Sequence, residues 1–206
     1  PRQARPGPSV AGRSVWQPSA CCSAPNCFPA GEACIAGSCE ACLETAAAAR
    51  QAVLPADIIV VVDNSGSMND EAGFAQDSMN DFVAAVTGSG IDAHVVLISD
   101  DSNDSNGICV PAPLGSGSCP NDEKLPTYRH VVQRVSSSDS LQLILSTYDQ
   151  WSASLRPGAS RTFVVISDDD SAMGSAQFAA DLVALDPSFA DFRLSAIVAP
   201  YDLNGT

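Results

Sequence analysis

Basic residues are scarce in this chain: 10 Lys and Arg stand against 24 Asp and Glu in 206 residues, a formal net charge of -14. Nucleic-acid phosphates require a basic face, so that class of partner is excluded, and an anionic membrane surface is equally disfavoured. No apolar run approaches the roughly eighteen residues that mark a membrane span. Histidine is nearly missing, with only His94 and His130. Neither G-x-S-x-G nor G-x-x-x-x-G-K-S/T occurs, which removes the nucleophile elbow and the phosphate-cradling loop. The sequence opens at Pro1 with no initiator Met and no signal peptide, as expected of a processed or trimmed form.

What is present suits one ordinary domain with a small appendage, and a hydrophobic content of 45% provides a core. The eight cysteines fall into a cluster of six (Cys21, Cys22, Cys27, Cys34, Cys39, Cys42) and a distant pair, Cys109 and Cys119. Cys39 and Cys42 form a C-x-x-C, the beginning of a zinc site. The cluster has no His and no second C-x-x-C, and adjacent Cys21 and Cys22 fit poorly into one tetrahedron. Disulfides in an oxidising compartment are the better reading. Six cysteines allow about fifteen connectivities, among which sequence does not choose.

The chain is organised around Asp57 to Met68, DIIVVVDNSGSM. Ile58 to Val62 is a β-branched run typical of a strand buried on both faces. Asp63, Ser65 and Ser67 then place oxygens on alternate residues, with Gly66 allowing a tight turn. One carboxylate and two hydroxyls suit a hard divalent cation, which takes oxygen ligands and wants about six of them. A further acid is needed. Ser167 to Ser171, SDDDS, offers it directly after a second buried strand, Thr162 to Ile166.

In chain order, residues 1–20 read as an unstructured lead or stalk, 21–42 as a disulfide-dependent segment, and 43–54 as an Ala-rich connector helix. Glu71 to Val86 sets Ala75, Met79, Phe82, Val83 and Val86 on one helical face against a sheet. Ala93 to Ser99 is a second strand, with His94 a structural residue at the end away from the motif. Asp100 to Thr127 is a long acidic loop that a Cys109–Cys119 bridge would close. Its Ser102 to Gly107 faintly resembles an EF-hand loop, but Pro113 stands where the bidentate Glu belongs. Tyr128 to Val135 is a third, more polar strand nearer an edge. Ser136 to Ser138 are N-cap residues for one unbroken helix, Leu141 to Leu155. Thr162 to Ile166 is the fourth strand. Asp169 and Asp170 cap a helix over Ala172 to Leu185, and Phe192 to Val198 is a fifth strand.

D-N-S-G-S-M after an apolar strand resembles the D-x-S-x-S motif of von Willebrand factor A domains, which defines their metal-ion-dependent adhesion site. Asp63, Ser65 and Ser67 match the motif, Asp168 in VVISDDDS matches the acid after the fourth strand, and the spacing of about a hundred residues agrees. The resemblance covers Ala49 to the C-terminus. It implies an α/β fold, a doubly wound and mostly parallel sheet flanked by helices over residues 55–206, here without its last strand and helix. It implies Mg²⁺, or Mn²⁺ or Ca²⁺, held by Asp63, Ser65 and Ser67, with Asp168 bonded directly or through water. The loop Thr that the family adds to this shell has no plain counterpart. Thr147 needs a helix break that the apolar stripe argues against, so Ser138 is the choice.

The function expected is a metal-dependent protein-binding or adhesion module of a secreted or surface protein, whose partner presents Asp or Glu. A metal-dependent hydrolase with Asp169 or Asp170 as base is the alternative, as is a structural module in which the metal only staples the fold.

Overall fold

The computed structural model describes residues 32–35, 38–41 and 53–198. The expected lead, most of the cysteine-rich segment with its disulfide pairing, and the connector helix up to residue 52 lie outside them; Val53 and Leu54 are exposed and not helical. The chain divides into two compact units, Pro1–Gln51 and Ala52–Thr206. In the first, β1 (Glu32–Ile35) and β2 (Ser38–Ala41) form an antiparallel hairpin whose register sets Cys34 opposite Cys39.

The second unit is built on β3 (Ala56–Val62), all seven residues of which are buried. Period-2 alternation sends Ile59 and Val61 to one face and Ile58, Val60 and Val62 to the other, so β-branched residues serve both layers. Around it lie β4 (Ala93–Ser99), β5 (Tyr128–Val132), β6 (Ser160–Ser167) and β7 (Arg193–Val198), in the order β5-β4-β3-β6-β7, every pairing parallel. This is the doubly wound α/β sheet expected, with the third strand at an edge. The third strand ends at Val132 rather than Val135, because Val135 turns inward and its carbonyl accepts the Asn64 N–H at 2.9 Å.

Helix α1 (Asn69–Gly88) covers one face through buried Ala72, Ala75 and Met79. Phe82 departs from the expected stripe and is 39% exposed. Three residues after Met79 it falls on the flank of the helix, where it lines an apolar groove with Phe74, Val164, Ile166 and Ile197. The opposite face is covered by α2 (Ser140–Ser146), α3 (Tyr148–Trp151) and α4 (Ser175–Leu185). There Trp151, Phe163, Phe178 and Phe189 are fully buried, with edge-on ring contacts such as Phe163–Phe178 at 6.0 Å.

The expected single helix over Leu141 to Leu155 is broken at Thr147. Both its N–H and its hydroxyl turn back to the Leu143 carbonyl, at 3.0 and 2.7 Å, and the ladder resumes with a tighter Gln150 N–H to Thr147 carbonyl bond. The apolar stripe continues across the break, which is why the pattern concealed it. Two capping expectations also fail. Asp139, not a serine, precedes α2, and its carboxylate accepts the Ser136 N–H instead of capping the helix. Gly174 precedes α4, which starts at Ser175 beyond the reach of Asp169 and Asp170.

Candidate metal centre

The sheet reverses its winding at β3: the chain proceeds to β4 and β5 on one side and to β6 and β7 on the other. Such a reversal opens a crevice outside the carboxyl ends of the strands. The turn after β3 lies in this crevice. Asp63 continues the ladder, its N–H donating to the Ile166 carbonyl at 2.9 Å. The register sets Val62 beside Ile166, so Asp63 stands opposite Ser167, with Asp168 one residue beyond.

Asp63 is fully buried. One carboxylate oxygen accepts the Ser65 N–H at 2.7 Å and the other accepts the Ser167 hydroxyl at 2.8 Å. Both donors are neutral, and among the described residues no Lys, Arg or His pairs with this carboxylate. A buried anion without a counter-charge is costly. The turn over Gly66–Met68 tightens into one 3₁₀ turn and brings the Ser65 and Ser67 hydroxyls to 3.2 Å from each other, at the surface. Asp168 is half-buried, and one of its carboxylate oxygens is enclosed without a hydrogen-bond partner among the described residues.

This donor set fits a hard divalent cation. A buried carboxylate lacking positive charge, a carboxylate oxygen lacking a partner, and two adjacent hydroxyls are all oxygens, and each stands to gain from a cation. Among the described residues no three His, Cys, Asp or Glu side chains gather into a metal-binding group, so a cation held at this turn would draw on hydroxyl oxygens as well as carboxylates.

The other expected residues divide. Ser138 is exposed, and its carbonyl accepts the Ala172 N–H at 2.9 Å, which ties its loop to the segment after β6. The neighbouring Ser137 carbonyl accepts the Ser167 hydroxyl at 3.1 Å. Ser140, two residues on, is 3% exposed and its hydroxyl has no partner among the described residues. Thr147, despite the helix break beside it, spends its hydroxyl on Leu143. Asp169 and Asp170 are exposed.

Sequence reasoning missed Ser167, Asn64 and Asn106. Ser167 was detectable in principle, since it ends the second buried strand. Asn64 and Asn106 are 1% and 4% exposed and join the turn to the 100–127 loop. Nothing in the local sequence marks that meeting. Within the loop, Asp101 and Asp104 accept N–H groups of their own turns, from Asn103 and Asn106, and Asp104 pairs with Arg134 at 2.8 Å. The Asn106 N–H and Arg134, against some burial cost, hold the Asp104 carboxyl below the usual carboxylate range.

The two histidines lie elsewhere. His94 begins β4 at the end of the sheet opposite the turn. His130 is buried beside Asp122, Nδ1 to Oδ1 at 2.7 Å, with Nε2 3.2 Å from the Ser99 carbonyl. Burial opposes the Asp122 charge, yet His130 and the Val110 N–H hold its carboxyl below the usual range. The same carboxylate accepts the Tyr128 hydroxyl, whose pKa is pushed up by burial and by Asp122.

The expected Cys109–Cys119 disulfide is present. No helix among the described residues is long and apolar enough to cross a membrane. Compared with known proteins, the chain matches no family model, and no curated protein matches it.

Proposed function

We propose that the protein is a divalent-cation-dependent binding module of the von Willebrand factor A type, acting outside the cell or at its surface on a protein partner that presents Asp or Glu. The observation that carries this reading is that, at the switch point of the sheet, buried Asp63 has no counter-charge and Asp168, one residue beyond the position opposite it, has an unpartnered oxygen, both among the described residues. Asp63 would anchor the site, Ser65 and Ser67 would contribute hydroxyl oxygens, and Asp168 would contribute charge directly or through water. Mg²⁺ is the fitting ion, with Mn²⁺ or Ca²⁺ as substitutes. When bound, the cation supplies a positive centre with an exchangeable water position, which a carboxylate from a partner can occupy.

Two features favour binding over hydrolysis. His130, the histidine nearer the carboxyl ends of the strands, has both ring nitrogens engaged, and Asp169 and Asp170, the acids a hydrolase would use as base, are exposed. The disulfide in the 100–127 loop supports an oxidising location.

The test is calorimetric titration of Mg²⁺ and Mn²⁺ into chelator-stripped protein and into Asp63→Ala, followed by surface-binding assays with peptides carrying Asp or Glu and their amide counterparts. One-site binding lost in the variant, with cation-dependent capture of the acidic peptides alone, is the expected result. Wild-type protein that takes up neither ion sinks the reading.

A further inference from the structure

We infer that Asn106 is a positioning residue for this cation site, and that the 100–127 loop carrying it is a clamp closed over the turn; the inference rests on the cation-binding reading above. The Asn106 side-chain amide donates to the Ser65 carbonyl at 2.6 Å, and the Asn106 carbonyl accepts from the Asn64 side-chain amide at 2.7 Å. Two consecutive residues of the turn are thus held from more than forty positions away in sequence. Asn64 completes the clamp. Its amide also donates to the Ser99 hydroxyl at 3.1 Å, and its carbonyl oxygen accepts the Asp100 N–H at 2.7 Å. A buried amide with its donors and acceptor engaged fixes one arrangement rather than several.

The consequence falls on Ser65. Its N–H is fixed by Asp63 and its carbonyl by Asn106 and the Met68 N–H, the latter at 3.1 Å. With both flanking peptides fixed, the Cα–Cβ direction from which the Ser65 hydroxyl projects is set before any cation arrives. Groups that hydrogen-bond to ligand residues without touching the metal orient them, and losing one typically costs about 10- to 100-fold in affinity.

The loop is built to deliver this amide. Gly107 follows Asn106 where a Cβ would lie 1.5 Å from the Asp101 carbonyl oxygen, so only glycine lets the chain close there. Beyond it, Ile108 and Val110 are fully buried, the Cys109 N–H donates to Gln76, and the Leu114 N–H donates to Asn80, both at 2.8 Å. These anchors lie on α1, away from the turn, and separate holding the loop from holding the site.

The experiment uses Mn²⁺ as probe on the full, chelator-stripped chain, measuring affinity by calorimetry, the electron paramagnetic resonance spectrum of the bound ion, and thermal midpoint. Asn106→Ala is compared with Asn80→Ala, which loosens the same loop at its α1 anchor. The expected result is an affinity loss of about 10- to 100-fold and an altered spectrum in Asn106→Ala, with Asn80→Ala less stable but within about twofold of wild type in affinity. Asn106→Gln, which keeps the amide but moves it by one methylene, carries the same comparison if the alanine variant does not fold. Wild-type affinity in the Asn106 variants, while Asp63→Ala binds nothing, overturns the inference and leaves the cation site standing. Equal affinity losses in the Asn106 and Asn80 variants also overturn it, because general loosening of the loop then suffices. No Mn²⁺ uptake by wild type overturns both.

Discussion

The Ser167 hydroxyl at the end of β6 donates to the buried carboxylate of Asp63 at the end of β3, 2.8 Å away. This bond ties the two strands together at the place where they stop sharing a ladder. The Ser167 hydroxyl oxygen also accepts the Asp169 N–H at 3.2 Å, so it shapes the loop that carries Asp168. Ser167→Ala should lower stability by about 1.5 to 3 kcal/mol, the range for a hydrogen bond to a charged group. Urea unfolding of the stripped protein checks this; a loss below about 0.5 kcal/mol would show that the carboxylate finds a substitute donor.

Cation binding to the native state alone must raise stability by mass action. At a free Mg²⁺ concentration about 100 times its dissociation constant, the gain is about 2.7 kcal/mol, and chelation should reverse it. Asp63→Ala should show no such gain. Asp168→Asn should show a smaller one at the same concentration. Thermal unfolding with and without chelator reads all three.

At the opposite end of the sheet, Asp57 is 2% exposed between two arginines: Arg156 donates to Oδ1 through Nε at 2.8 Å and to Oδ2 through its backbone N–H at 2.7 Å, and Arg161 also pairs with Oδ2. Removing one partner of a buried pair leaves the others uncompensated. Asp57→Ala should cost about 3 to 5 kcal/mol by chemical denaturation, while Asp92→Ala, removing an exposed contact of Arg156, should cost under about 1 kcal/mol.

Acid sensitivity should originate partly at Asp122. Its carboxyl lies below the usual range in the folded protein, held there by His130 and the Val110 N–H against the cost of burial. In the unfolded chain it titrates near its ordinary value of about 4. Because the folded value is the lower one, its contribution is present above pH of about 4 and disappears as pH falls through the folded value. Asp122→Asn should be less stable at neutral pH and lose less between pH of about 4 and 2. Unfolding midpoints measured across that window decide it.

The Cys109–Cys119 bridge closes a short loop, with a sequence separation of 10. The double variant Cys109→Ala, Cys119→Ser should lose about 2 to 4 kcal/mol through the larger entropy of its unfolded chain. A double variant as stable as wild type would mean that the anchors at Gln76 and Asn80 alone hold the loop.

Sequence alone determined what depends on neighbours a few residues apart. The β-branched run of β3 specified a strand buried on both faces, since each face of a parallel sheet needs apolar cover. Alternating oxygens put Asp63, Ser65 and Ser67 within one short stretch after the strand, and the 3₁₀ turn over Gly66–Met68 brings the two hydroxyls together. The edge position of β5 was legible in its polar residues. Tertiary structure decided the rest, because those contacts span distances that no local pattern encodes. Parallel register placed Ser167, not Asp168, directly opposite Asp63. The helix breaks at Thr147, although its apolar stripe runs on unchanged. The loop that looked like an acidic excursion folds back to hold Asn64 and Ser65 through Asn106, a meeting set by the burial of Ile108 and Val110 and by the one glycine that lets the chain close.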